Sequence, residues 1–156
     1  MAIRAEPASP TDISALVELM GEFYFEADHS LDGAKAASSF ATLAADPALG
    51  AVWVLRRDGQ AAGYAVLTVR FSMEYGGTDA FIDDLFVRRE HRRHGLGRCA
   101  LAALIAECHR RRVLALHVEV GRDNVAANAL YRSFGLRPRR DRRQRLTLAL
   151  GNAGMS

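Results

Sequence analysis

Cysteine is scarce in this chain: there are two among 156 residues, Cys99 and Cys108. Both fall in one helical pattern, and at about 100° per residue their spacing sets them on opposite faces. They cannot pair with each other, which fits a reducing compartment. No run of about 18 uncharged apolar residues exists, so no helix of ordinary membrane-spanning length is expected. The amino terminus carries Glu6 and Asp12 and has no apolar core segment of the signal-peptide kind, so a cytoplasmic location is the expectation. Internal repeats and linkers are also missing. The length suits one domain, read as residues 1–150 with a short tail at 151–156. His91 and His94 have metal-like spacing but lack a third ligand and sit among arginines, so no metal is expected.

Arginine is what the chain has in excess. Net charge is +3 and the pI is about 9.2, with clusters at 88–98, 110–112 and 137–145. A nucleic-acid partner is disfavoured, because aromatics do not interleave these clusters and no RNA-binding signature occurs. A solvated surface or a polyanionic ligand stays open.

One segment narrows the choice. Arg92-Arg93-His94-Gly95-Leu96-Gly97-Arg98 follows an apolar strand and opens directly into a helical pattern. Its glycines permit close approach of the backbone to an anion, and the helix start aims unsatisfied N–H groups outward. The arrangement predicts a cradle for a diphosphate.

Around it the elements are readable. Ile3-Arg4-Ala5 reads as a short strand. Ser9-Pro10-Thr11-Asp12 reads as a helix start, and Ile13, Leu16, Val17 and Met20 hold the spacing of one buried face. An acidic, aromatic stretch from Gly21 to Leu31 leads to a second helix carrying Phe40 and Leu43 that ends near Asp46-Pro47. Asp58-Gly59 predicts a hairpin between 51–57 and 60–71. Residues 79–87 form the next strand, 97–111 a helix, and Leu114, Leu116, Val118 and Val120 alternate as a strand parallel to 79–87. Asn124 to Phe134 reads as a helix closed by Gly135, and Arg137 to Leu148 as a last strand. These elements make a mixed α/β sheet of mainly antiparallel strands with one crossover.

Three blocks, Asp83-Asp84-Leu85-Phe86-Val87, Arg92-x-x-Gly95-x-Gly97 and Asn124-x-x-Ala127-x-x-Leu130-Tyr131-x-x-x-Gly135-Leu136, together resemble the GCN5-related N-acetyltransferases (GNAT), over nearly the whole chain. The resemblance implies the GNAT fold: an α/β domain whose mostly antiparallel sheet has six to seven strands, a central splayed parallel pair and about four helices. It implies acetyl-CoA as co-substrate. The pantetheine would hydrogen-bond along Leu85, Phe86 and Val87, and the pyrophosphate would meet Arg92, Arg93, His94, Gly95, Leu96, Gly97 and Arg98. Asn124 and Tyr131 would complete the cofactor site, with a backbone N–H near Leu85 or Phe86 for the oxyanion.

The acidic pair is similar to that of spermidine/spermine N-acetyltransferases and diamine-acetylating relatives, although Asp83 stands where those enzymes typically carry Glu. The implied reaction is direct acetyl transfer to a primary amine of a small cationic acceptor: a polyamine, a diamine or an amino-acid side chain. Asp83 and Asp84 would take the proton, Glu119 is a reserve base, and Tyr131 is the acid. As residues adjacent on a strand, Asp83 and Asp84 are expected on opposite faces. Glu22, Tyr24, Glu26 and Glu74 would join the pair in binding substrate. Acetylation of a protein N-terminus, a lysine or an aminoglycoside is the alternative, and an acyl-CoA- or RNA-binding regulatory module is the non-enzymatic one. The family resemblance also implies a homodimer.

Overall fold

The computed structural model describes residues 2–151, so most of the tail expected at 151–156 lies outside the described residues. Strands β1 (Ile3–Pro7), β2 (Gly50–Arg57), β3 (Gln60–Ser72), β4 (Gly77–Val87) and β5 (Ala115–Val118) form one sheet in that spatial order. The first four pair antiparallel and β5 joins β4 in parallel. Asp58 and Gly59 turn the β2–β3 hairpin with φ of 51° and 83°, as two-residue hairpins require.

Helices α1 (Ile13–Glu26) and α2 (Gly33–Ala45) cover one face. The start of α1 is fixed locally: Pro10 opens a single 3-10 turn, and the Ser9 N–H donates to Asp12 Oδ2 at 2.8 Å. Helix α1 runs on through Gly21 to Glu26, taking in most of the acidic, aromatic stretch. Leu16, Leu19 and Phe40 pack with Val52, Val54, Tyr64, Val66 and Phe86 into the core on this side.

Helices α3 (Leu96–Arg110) and α4 (Val125–Ser133) cover the other face, where Leu96, Leu101 and Leu104 are fully buried against Leu55, Leu67 and Ile82. Each such leucine contributes about 1.5–3 kcal/mol of apolar burial. Cys108 is buried and Cys99 partly exposed on α3, both as free thiols.

Among the described residues the sheet has five strands, where six to seven were expected. The missing element is Arg137 to Leu148, which has no regular structure and stands exposed. Its crowded arginines repel one another when extended, and β5 offers an edge of only four residues. Side-chain ties replace a ladder: Arg139 meets Glu74 at 3.0 Å and Arg145 meets Glu119 at 2.7 Å. No helix among the described residues is long and apolar enough to cross a membrane.

Candidate active site

The site begins where the sheet parts. The parallel ladder between β4 and β5 ends at Ile82 and Val118, yet β4 continues to Val87 against β3 alone. Residues Asp83 to Val87 therefore present their other backbone edge to an open wedge, and such groups need partners. Leu85 and Val87 turn their side chains to the α3 side, while Phe86 is buried between Phe23, stacked at 5.3 Å, and Tyr64. The Val87 carbonyl already accepts from Arg92 Nε at 2.8 Å.

A β-bulge sits at the mouth of the wedge. Val66 faces Asp84 and Leu67 faces Ile82, so Asp83 is the extra residue. A bulge interrupts the alternation of side chains. The charges of Asp84 and Asp83 both raise the pKa of the Tyr24 phenol, after burial itself. Asp84 is the more enclosed. Burial lifts its carboxyl to about 6, the Asp83 charge pushes the same way, and the Tyr64 hydroxyl opposes this by donating to Oδ2 at 2.9 Å. Burial and Asp84 together hold the Tyr64 phenol protonated, far above its ordinary value. Tyr64 was not among the expected site residues, because its role rests on strand register.

The Gly-rich turn follows β4 at once. Gly95 is the N-cap of α3 with φ 85° and ψ 7°, a left-handed conformation that disfavours a side chain. The N–H groups of Leu96, Gly97 and Arg98 occupy the first turn, where a helix leaves its donors without partners. Gly97 serves packing as well: a Cβ there would lie 3.1 Å from Leu130 on α4. Leu96 has its side chain in the core, and Arg93 (φ 64°) and His94 form the turn itself. The arginine side chains are largely engaged elsewhere. Arg92 reaches Glu26 at 2.7 Å, and Arg98 donates to Ser133 at 3.1 Å and lies over Phe134.

Asn124 caps α4 by accepting from the Ala127 N–H at 3.2 Å. Tyr131 on that helix is 9% exposed, and burial raises its pKa, so it holds its proton firmly. The remaining acids expected around the acceptor are paired: Glu22 with Arg88 at 2.9 Å, Glu26 with Arg92, and Glu74 with Arg139. Glu119, the reserve base, is exposed and bound to Arg145. Among the described residues no group of three or more potential metal ligands occurs.

The Acetyltransferase (GNAT) family model matches residues 13–136. The chain belongs to that family. A solved structure, the integron cassette protein HFX_CASS3 from the mobile metagenome of Cole Harbour Salt Marsh, is 37% identical, covers 95% of this chain and 91% of its own, and superposes with a TM-score of 0.84. The [ribosomal protein bS18]-alanine N-acetyltransferase of Escherichia coli K12 is 36% identical over 81 residues, 52% of this chain. The chain spans about half the length of that curated relative, 51%. A predicted acetyltransferase with acetyl-CoA from Clostridium acetobutylicum shares the fold at 16% identity, with a TM-score of 0.77 over 94% of this chain and 96% of its own.

GNAT acetyltransferases use acetyl-CoA, and this chain has fitting parts for it. The wedge exposes strand backbone able to pair with an amide-bearing arm, and the left-handed Gly95 at the first turn of α3, where a Cβ would be strained, leaves helix-start N–H groups that could meet an anion.

Proposed function

We propose that this chain transfers acetyl from acetyl-CoA directly to an amine. The observation that carries the reading is the place of Asp84, on β4 just past the end of the β4–β5 ladder with the Tyr64 hydroxyl donating to its Oδ2 at 2.9 Å, where burial lifts the carboxyl to about 6. Such a group is ionised at neutral pH yet basic enough to accept a proton. An alkylammonium has a pKa near 10.4, so its proton must be removed before attack. Asp84 takes that proton, and Asp83 and Tyr24 hold the cationic form beside it. Bound acetyl-CoA would supply the thioester acyl group. A backbone N–H of Leu85 or Phe86 would face the reacting carbonyl, and the turn Arg92–Arg98 with Asn124 would hold the far end. Tyr131 would give the proton of its buried phenol to the leaving thiolate, which departs as the thiol.

A small cationic acceptor, such as a polyamine, a diamine or an amino-acid side chain, is supported by the Asp83–Asp84 pair. The paired Glu22, Glu26 and Glu74 add little net field to it. A second reading, the α-amine of a polypeptide, is favoured by the similarity to the bS18-alanine enzyme. Residues 1–150 act as one catalytic domain in either reading. A reducing, cytoplasmic setting is supported by the two free thiols on α3, and a homodimer by the exposed Leu146, Leu148 and Leu150.

The test is thiol release from acetyl-CoA across polyamines, diamines, amino acids, aminoglycosides and peptides with free amino termini. Turnover of polyamines upholds the first reading, and turnover of peptides the second. Silence across the panel, with acetyl-CoA bound, defeats amine acetylation.

A further inference from the structure

Among the described residues β5 is paired on one side only. Along its other edge runs a groove of about 1130 Å³, starting at Arg70 and Tyr75 and ending at Val118, Val120 and Tyr131, where the strands part. The groove takes in Tyr131 and Val118, the last residue of β5 in the ladder with β4. Its floor is fixed from below. Asp79 is fully buried and binds Arg70 Nε at 3.0 Å and His117 Nε2 at 3.0 Å, and the His117 ring lies against Phe81 at 4.8 Å and Tyr75 at 5.8 Å.

Three properties define the occupant. An unpaired strand edge offers alternating donors and acceptors to an extended backbone. The volume exceeds the roughly 300–1,000 Å³ of small-molecule sites, while a five-residue extended segment of about 17 Å matches the length of β5 with its flanks. The walls carry five arginines against two glutamates, and both glutamates, Glu74 and Glu119, are already bound by arginines. Arg122 and Arg132 have no ion-pair partner among the described residues. A second copy of this chain offering its own Arg137–Arg145 run would meet like charge.

We propose that this groove is the acceptor track and that it takes an acidic polypeptide segment in extended conformation, added as a strand to β5 with its amino terminus at the wedge. The proposal rests on the polypeptide reading of acetyl transfer given above.

The test uses peptides with one free amino terminus followed by glutamates, the same peptide with glutamines, and the same with lysines. The glutamate peptide should have a KM about tenfold below that of the glutamine peptide, a preference lost near 0.5 M salt. The double variant Arg122→Glu, Arg132→Glu should reverse the order of KM and change kcat far less. A glutamate peptide with a blocked amino terminus cannot be acetylated, so it reports the groove alone. Its binding, read by fluorescence anisotropy, should slow amide hydrogen exchange at residues 114–120. Binding of the blocked peptide with no acetylation of any peptide upholds the groove and defeats acetyl transfer. Turnover with equal KM for glutamate and glutamine peptides, or with lysine preferred, overturns the groove assignment. So does protection of residues 114–120 that follows protein concentration and a doubled mass, which would make a second copy the occupant.

Discussion

Replacing Asp84 with Asn is expected to stabilise the fold at pH 8 while abolishing turnover. The carboxyl is lifted from 3.8 to about 6, first by burial, with the Asp83 charge adding and the Tyr64 hydrogen bond opposing. A group whose folded pKa is raised binds its proton more tightly when folded. Its stabilising contribution is fully present below about pH 3.8, is lost as pH rises through about 6, and stays lost above that. The difference of about two units, at about 1.4 kcal/mol each, corresponds to about 3 kcal/mol of folding free energy missing at pH 8. Asparagine has nearly the same shape, no charge, and an oxygen to accept from Tyr64. Allowing for water that reaches the wedge, the variant should gain about 2 kcal/mol at pH 8. Urea unfolding at pH 8 and at pH 3.8 gives the comparison: a higher midpoint for the variant at pH 8 and a much smaller difference at pH 3.8. A variant no more stable than the parent at pH 8, or shifted equally at both values, refutes the claim that Asp84 is kept charged against its surroundings.

Tyr64→Phe removes the hydrogen bond that favours the Asp84 carboxylate. A bond to a charged group is worth about 1.5–3 kcal/mol, so the acid limb of kcat/KM should move up by about one unit, toward pH 7; an unmoved limb would show that another group titrates there. Tyr131→Phe should lower kcat by about 100-fold with little change in the KM for acetyl-CoA, and equal losses in binding would mean that the phenol only packs. Gly97→Leu drives a side chain toward Leu130, which a Cβ alone approaches to 3.1 Å. Separation of α3 from α4 should cost about 2 kcal/mol, a fall of about 6 °C in Tm by calorimetry.

The parts written in contiguous residues were legible. The Asp58-Gly59 turn, the Ser9-Pro10 helix start, the Gly95 cap and the Asn124 cap each depend on neighbours within a few positions, and each occurs where its residues indicate. The strand expected at Arg137 to Leu148 shows the limit: alternation at Leu146, Leu148 and Leu150 describes a strand that could form, while forming one needs an edge to pair with. The bulge at Asp83 shows it more sharply. Whether Asp83 and Asp84 share a face depends on one residue of slip against β3, set by the pairing of Val66 and Leu67 with β4. Tyr64 enters the site through that same register, 20 residues from the carboxylate it holds.

The pairing of the acidic side chains is not legible in the sequence for a related reason. Composition gives the sign of each side chain, yet the field at a site depends on what each charge faces. Glu22 meets Arg88 from 66 residues away, as Glu26 meets Arg92. Once those pairs close, negative charge is left concentrated at Asp83 and Asp84, while the groove beside β5 is positive. The turn Arg92–Arg98 proposed to hold the cofactor is a local motif, so its shape can be read from a single sequence. The acceptor side is assembled from pairings across the whole chain, and an acceptor with an amine at one end and acid along its length suits both charges at once, where a polycation suits only the first.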